Sequence, residues 1–531
     1  MSRKLALAVV LLAVLPALHL AWVARDMPHF GHLHDDSIYW VTAKSLAESK
    51  GYRILSLPAE PYQTKYPPLW PLALSALWRI DPRFPENLRL AMPVAWLMLP
   101  VFLALAWRWF RDVGFEIGPS AILCAVVGTS PWIVFLSTTL MSELIFSVLL
   151  LAAVIAIERA AAKNSMAFIA GLLAAAAYLT KTAALPLIAI GPLWLMLRRR
   201  RRPAAMFFCA MLPAVVAWTV WTRHHMTHAV DLVSLYYTNY LGYQIYNIGW
   251  RDLPLVVWKN LDGLFSGIAG LLIFDLAKSP AGIFLARLMA IGAIVGTVRF
   301  ARRDGMTPYH WFALCYTAIL LVWHFPPNER FLIPLFPLLL AGCATESSHL
   351  LEAWKKAWRL NAANRMAAAA MAAGAVALAS TAIVWNAGAI FRQFPAIIGQ
   401  HRAVLASNRA AFAWISRETP EAAFYAYDDP VFFLYTGRHA ASLPVAPMPF
   451  YREDREAILR PFHNMAGFAR EQQLDYLFFT AADFHRDLPP AERAEVRGIL
   501  NGDNAFELVY RSPLSSVWRR KTILAASATP R

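Results

Sequence analysis

"MSRKLALAVVLLAVLPALHLAWVARD", residues 1–26, and "FGHLHDDSIYWVTAKSL", residues 30–46, decide how this chain must be read. The first is a basic start followed by an apolar run of about nineteen residues, near the length that crosses roughly 30 Å of hydrocarbon. It is longer than the apolar core of a typical signal peptide, so it is expected to remain as an uncleaved first helix. The second places Asp35 and Asp36 side by side where the membrane should end. Adjacent carboxylates at a low-dielectric boundary repel each other and resist ionisation unless a cation, a metal or a substrate proton compensates them. Their presence points to chemistry at the membrane rim.

The rest of the chain extends this reading. Its 531 residues are 58% hydrophobic, 13% aromatic and only 16% charged, and the mean hydropathy is +0.43, which together describe a polytopic membrane protein. A net charge of +16 suggests nucleic acid at first sight. The basic residues, however, fall in short runs between apolar segments, where they orient a chain in a bilayer, so no nucleic-acid partner is expected. Cys124, Cys209, Cys315 and Cys343 lie in or beside apolar runs without CxxC spacing, and read as small hydrophobes rather than as a disulfide or zinc framework.

Segments of spanning length fall at 5–23, 90–107, 119–137, 142–158, 167–180, 182–197, 204–221, 281–298, 309–325, 330–345 and 366–386, about eleven transmembrane helices. The basic runs "RWFR", "ERAAAK", "RRRRR", "RFARR" and "KKAWR" alternate consistently with the first, "MSRK", which sets that side as cytoplasmic and puts the C-terminus outside. The stretch 67–80 is too short to cross and is expected to lie in the interface. The long outer loops are then 24–89 and 222–280. "LYYTNYLGYQIYNIGW" in the second suits either an aromatic belt or a sugar-stacking surface, and "LFSGIAGLLIF", 264–274, reads as a re-entrant hairpin or an interfacial helix. Residues 1–386 are thus expected to form a transmembrane domain. From 387 to 531 the composition becomes that of a small extracytoplasmic α/β domain, with strands expected in "AAFYAY", "VFFLYTG", "LDYLFFTAADF" and "FELVYRS" and helices in "NRAAFAWISRE" and 452–473. No internal repeat of the transporter kind stands out.

Chemistry-bearing residues collect on the outer side. Asp35 or Asp36 is placed to cap the helix that begins there, with Tyr39 and Ala43 on the face of Asp35. Lys65 precedes a rigid Pro-Pro in "KYPPLWP", Glu143 opens a helix in "TTLMSELIF", Lys181 sits in "YLTKTAALP" and Arg330 in "PPNERFLIP". Carboxylates can take a proton or hold a metal, while Lys65, Lys181 and Arg330 can neutralise phosphate oxygens, arginine through a bidentate fork and lysine as a point charge. Taken singly, each has a plainer role as a helix cap, a dipole partner or an interfacial anchor. His224 and His228, four apart, resemble half a metal site but lack a third ligand and are expected to be exposed loop histidines.

The order of these pieces resembles a family. The acidic pair followed by Tyr39 and Ala43, then "KYPPLWP", "SPWIVFLSTTLMSELIF", "LTKTAALPL" and "ERFLIPLFPLLL", is similar to the GT-C glycosyltransferases, of the protein mannosyltransferase and lipid A aminoarabinose transferase type, over residues 1–350. Asp-Asp stands where relatives commonly have Asp-Glu. The resemblance implies an inverting transfer of a sugar from a polyprenyl-phosphate donor to a lipid, glycan or protein acceptor on the outer face of a bacterial inner membrane. It assigns the general base to Asp35, and leaves Asp36 and Glu143 to orient the acceptor or to hold a divalent cation, Mg2+ or Mn2+, although several such enzymes need no metal. A transporter or flippase of a lipid-linked sugar is the alternative, and a sugar-lipid binding or assembly protein is a further one.

Overall fold

The computed structural model describes residues 1–227, 231–275, 279–358, 366, 369–370, 384–485 and 488–521. Six helices in it are long and apolar enough to cross a membrane, and several shorter apolar helices accompany them. The span expected at 366–386 lies largely outside the described residues, as does His228.

The expected segments form helices where they were read, with breaks that proline explains. α1 (Arg3–Val23) is followed by α2 (Asp35–Ala47), α3 (Leu69–Ile80) and α4 (Leu88–Asp112). The segment 119–137 is two helices, α5 (Ile117–Gly128) and α6 (Pro131–Leu136), because Ser130 before Pro131 is held extended (ψ 119°). α7 (Glu143–Ala160), α8 (Ser165–Thr180), α9 (Leu187–Leu197) and α10 (Arg201–His225) follow, then α11 (Leu232–Thr238), α12 (Tyr240–Gln244) and α13 (Leu253–Leu272). The bundle continues through α14 (Pro280–Asp304), α15 (Pro308–Leu321), α16 (Glu329–Leu332) and α17 (Phe336–Trp358).

Close helix contacts use small residues, as packing without a hydrophobic drive between helices requires. A Cβ at Gly171 of α8 would stand 2.5 Å from the Phe207 carbonyl oxygen of α10, and one at Gly296 of α14 only 2.1 Å from that of Gly342 in α17. At the end of the bundle that carries the arginine runs, Arg159 closing α7 meets Asp112 closing α4 at 3.1 Å. Asp35, Lys65, Glu143, Lys181 and Arg330 gather at the opposite end, called here the site end.

α13 is long and apolar enough to span, yet both of its ends are held at the site end. Asp252, just before it, pairs with Arg452 of the C-terminal region at 2.6 Å. At its close, the Leu271 carbonyl accepts from Ser130 and the Leu272 carbonyl from Asn386, while Gly270 lies against the Glu329 side chain. α13 therefore lies across the bundle end, and most of the apolar stretch 264–274 belongs to this continuous helix rather than to a re-entrant hairpin.

The C-terminal region carries a five-stranded sheet in the order β2-β1-β3-β5-β4, with β1 (Phe424–Ala426) parallel to β2 (Ala440–Ala441) and β3 (Tyr476–Thr480). β4 (Phe506–Arg511) and β5 (Ser515–Arg520) complete it in antiparallel pairing. "VFFLYTG", expected as a strand, is instead most of the helix Asp429–Thr436, started by Pro430 in its first turn and closed by Gly437 in the left-handed region (φ 69°). The core of this region is shared with the outer loops, since Ile38, Ile54, Leu57 and Tyr237 are buried in one cluster with Tyr425, Phe462 and Leu477.

Candidate active site

Asp35 is the first residue of α2, and its neighbours explain how it is held. Successive tight turns carry the chain from Met27 to His34, with His34 N–H to Gly31 O at 2.9 Å, and His34 itself takes a positive φ of 66° as the residue before the helix. Gly31 has φ +84°, and a Cβ there would fall 2.2 Å from Val431 Cγ2, so only glycine lets the C-terminal region pack onto this turn. Neither aspartate is the residue that caps α2. Asp36 is buried and closes the turn, its carboxylate accepting from Gly31 N–H (3.2 Å) and Ser37 N–H (3.0 Å).

Asp35 points the other way. One carboxylate oxygen accepts the Tyr66 hydroxyl at 2.6 Å and the other meets Arg330 Nη2 at 3.3 Å. Burial alone would raise its pKa, but Arg330, then Lys65 and the Tyr66 hydrogen bond, hold the carboxyl below its ordinary range. Arg330 Nε also faces Glu143 Oε1 at 3.8 Å, and Lys181 Nζ reaches the same oxygen at 3.0 Å. Glu143 is 1% exposed, so this carboxylate ties two cations from distant segments into one buried cluster.

Lys65 is set by its own turn. Gln63 Oε1 accepts from the N–H groups of Lys65 (2.9 Å) and Tyr66 (3.1 Å), which aims the two side chains before Pro67 and Pro68 rigidify the chain. Lys65 Nζ lies 3.7 Å from the centre of the Tyr236 ring. Burial pushes its pKa down to about 8, against the pull of Asp35.

These side chains face a cavity of about 1170 Å³. Asp35, Lys65, Tyr66, Lys181 and Arg330 line one part of it, apolar residues such as Leu185, Ile188, Trp218 and Val322 another, and Tyr427, Ser442, Pro444 and Phe450 of the C-terminal region a third. Glu143 stands behind the lining and Asp36 does not reach it. The structure thus brings together Asp35, Lys65, Lys181, Arg330 and Glu143, and leaves Asp36 in the turn. Tyr66 and Tyr236 belong to the cluster without having been singled out by the sequence. The place of Tyr66 beside Lys65 was a signal; nothing marked Tyr427 or Ser442.

The donors do not fit a resident Mg2+ or Mn2+. Asp35 is engaged by Tyr66 and Arg330, Asp36 by backbone N–H groups, and Glu143 through Oε1 by Lys181 and Arg330, which leaves only the buried Glu143 Oε2 without a hydrogen-bond partner, too few oxygens for a hard divalent cation. Among the described residues no three His, Cys, Asp or Glu side chains come together as ligands. What the cluster can do is hold an anion against Lys65, Lys181 and Arg330 while an ionised carboxylate stands beside it.

Neither a family model nor a curated protein matches the chain by sequence. Solved structures do match by fold. ArnT from Cupriavidus metallidurans in the apo state is 15% identical with a TM-score of 0.51, covering 96% of this chain and 97% of that one. The same protein bound to undecaprenyl phosphate gives 15% identity and a TM-score of 0.51 over 98% and 99% of the two chains. The oligosaccharyltransferase AglB from Archaeoglobus fulgidus, in complex with an inhibitory peptide and a dolichol-phosphate, is 11% identical with a TM-score of 0.50 over 90% of this chain and 69% of that one. The fold is the one these solved structures share.

Proposed function

We propose that this chain is a glycosyltransferase that moves a sugar from a polyprenyl-phosphate carrier to an acceptor at the site end of the bundle. The observation that carries the reading is the ionised carboxylate of Asp35 beside Lys65, Lys181 and Arg330 on the wall of one largely apolar cavity. The apolar part suits a prenyl chain and the cationic part its phosphate. Solved structures of the same fold bind undecaprenyl phosphate and dolichol-phosphate, which supports a lipid-linked donor.

The reaction is a single inverting displacement. The acceptor oxygen attacks the anomeric carbon, its proton passes to Asp35, and the bond from that carbon to the phosphate oxygen breaks with its electron pair going to the phosphate. Lys65, Lys181 and Arg330 stabilise the charge that develops there. Because phosphate leaves readily, one carboxylate suffices where a glycoside hydrolase needs two. Glu143 acts behind the wall by keeping Lys181 and Arg330 aimed inward. Asp36 shapes the turn that presents Asp35. No step passes through a metal.

Arginine runs at the other end favour that end as cytoplasmic, which supports a periplasmic cavity and C-terminal region in a bacterial inner membrane. The charged cluster sits at the end of the bundle rather than at mid-depth, which favours a transferase over a carrier. Purified protein given a polyprenyl-phosphate sugar and a crude outer-leaflet lipid, glycan or peptide acceptor should release polyprenyl phosphate and form a new glycoside. Translocation of the intact donor across a vesicle without release would favour the carrier.

A further inference from the structure

A second cationic surface lies beside the cavity but outside it. In the first outer loop, Arg53 and Tyr62 face each other across an antiparallel bridge, with Ile54 N–H to Pro61 O and Gln63 N–H to Tyr52 O closing the hairpin. The Arg53 guanidinium stands 3.9 Å from the Tyr62 ring centre. The His225 ring, at the end of α10, packs 4.0 Å from Tyr62 and 4.1 Å from Trp221, and His224 packs 4.7 Å from His225. Trp221 is fixed by donating to the Gln63 carbonyl at 2.9 Å. Two distant segments therefore build one stack, with His224 exposed at its edge and Arg223 exposed on the same last turn of α10.

Among the described residues no carboxylate pairs with Arg53, Arg223, His224 or His225; Glu60 on the same hairpin faces His439 at 3.9 Å, and Arg53 donates to the Glu60 backbone carbonyl instead. Basic residues at a helix C-terminus answer its dipole, which accounts for Arg223 but not for Arg53, brought in from another segment.

The depth is set by α10 itself. Val216 and Val220 are exposed on successive turns, and the next turn presents Arg223 and His224. An exposed helix face that passes from apolar to cationic within one turn marks the level where hydrocarbon gives way to headgroups. Trp218 and Thr222, on the same stretch of α10, line the cavity, so the stack stands beside the cavity wall at one helix end.

We infer that Arg53, Arg223, His224 and His225 bind the phosphate of an anionic lipid headgroup in the leaflet at the site end, separately from the cavity. Rings that already stack on Tyr62 and Trp221 are pre-ordered, so little rotamer freedom is lost when they meet a phosphate oxygen. This inference needs only that the bundle spans a membrane and does not depend on sugar transfer.

The test is native mass spectrometry of the purified full chain in detergent, titrated with phosphatidylglycerol or phosphatidylcholine of the same acyl length. Wild type should hold phosphatidylglycerol about tenfold more tightly. The triple variant Arg53→Gln, Arg223→Gln, His224→Gln should lose that preference, while Arg251→Gln, an exposed arginine elsewhere in the outer loops, should keep it. Arg223→Glu alone, at an exposed position that packing does not need, should also weaken phosphatidylglycerol binding severalfold and serves if the triple variant fails to fold. Equal affinity for the two lipids in wild type, or an unchanged preference in Arg223→Glu, overturns the inference. So does displacement of phosphatidylglycerol by equimolar inorganic phosphate, which would assign the surface to a free anion.

Discussion

Tyr66 donates its hydroxyl to Asp35 at 2.6 Å, across a separation of 31 residues, and this contact fixes which aspartate of the pair faces the cavity. Hydrogen bonds to a charged group are worth about 1.5–3 kcal/mol. Tyr66→Phe is therefore expected to fold and to lower turnover about tenfold or more. The Tyr66 bond is one of the influences that hold the Asp35 carboxyl low, so its loss raises that pKa. Activity requires the ionised form and fails as pH falls through the pKa, so the acid limb of the pH–rate profile should move to higher pH. An acid limb unmoved in Tyr66→Phe would contradict the role given to this pair.

Lys65 should set the alkaline limb of donor binding. Its ordinary pKa is about 10.4; burial lowers it to about 8, so its charge is lost as pH rises past that point. KM for the polyprenyl-phosphate donor should climb above pH 8, by up to tenfold per unit, while kcat changes less because bound phosphate keeps the lysine protonated. Lys65→Arg, permanently charged, should flatten the rise. Measuring KM and kcat separately between pH 6.5 and 9.5 checks this.

Glu143 is expected to matter for folding more than for the chemical step. Glu143→Gln leaves the half-buried Lys181 and Arg330 without the buried carboxylate that joins them. Breaking a buried pair costs about 3–5 kcal/mol, so the thermal midpoint in detergent should drop clearly. Asp35→Asn, which removes charge at the cavity surface, should shift it far less. Equal midpoints for the two variants would remove Glu143 from its holding role.

Asp36→Asn keeps an oxygen able to accept from Gly31 and Ser37 and should retain activity within severalfold. Excess chelator should leave wild-type turnover unchanged. If chelation abolished transfer and Mg2+ or Mn2+ restored it, the donor set described here would have been misjudged.

Much of this was legible in the sequence because membrane spans announce themselves by length and apolar composition, and because Glu143, Lys181 and Arg330 each stand at the end of such a segment while Asp35 and Lys65 lie in the loop between the first two. Topology alone then forces them to one end. What the sequence did not reveal depends on side-chain direction. Asp35 and Asp36 are neighbours with the same chemistry, and the turn closed by Gly31 N–H together with the Tyr66 contact separates them. The helix Asp429–Thr436 is apolar and aromatic like a strand, and tertiary packing against Gly31 and Phe412 decides it. The C-terminal lining residues come from a segment with no pattern of its own, placed by a core shared with Ile38, Ile54 and Tyr237.

The most direct test is single-turnover transfer by purified Asp35→Asn with a saturating polyprenyl-phosphate sugar, alongside its binding of that donor. The account expects donor affinity close to wild type and a rate lower by about 10²–10⁴-fold, the usual loss when a general base is removed. Transfer at the wild-type rate in a variant that binds the donor normally would contradict it.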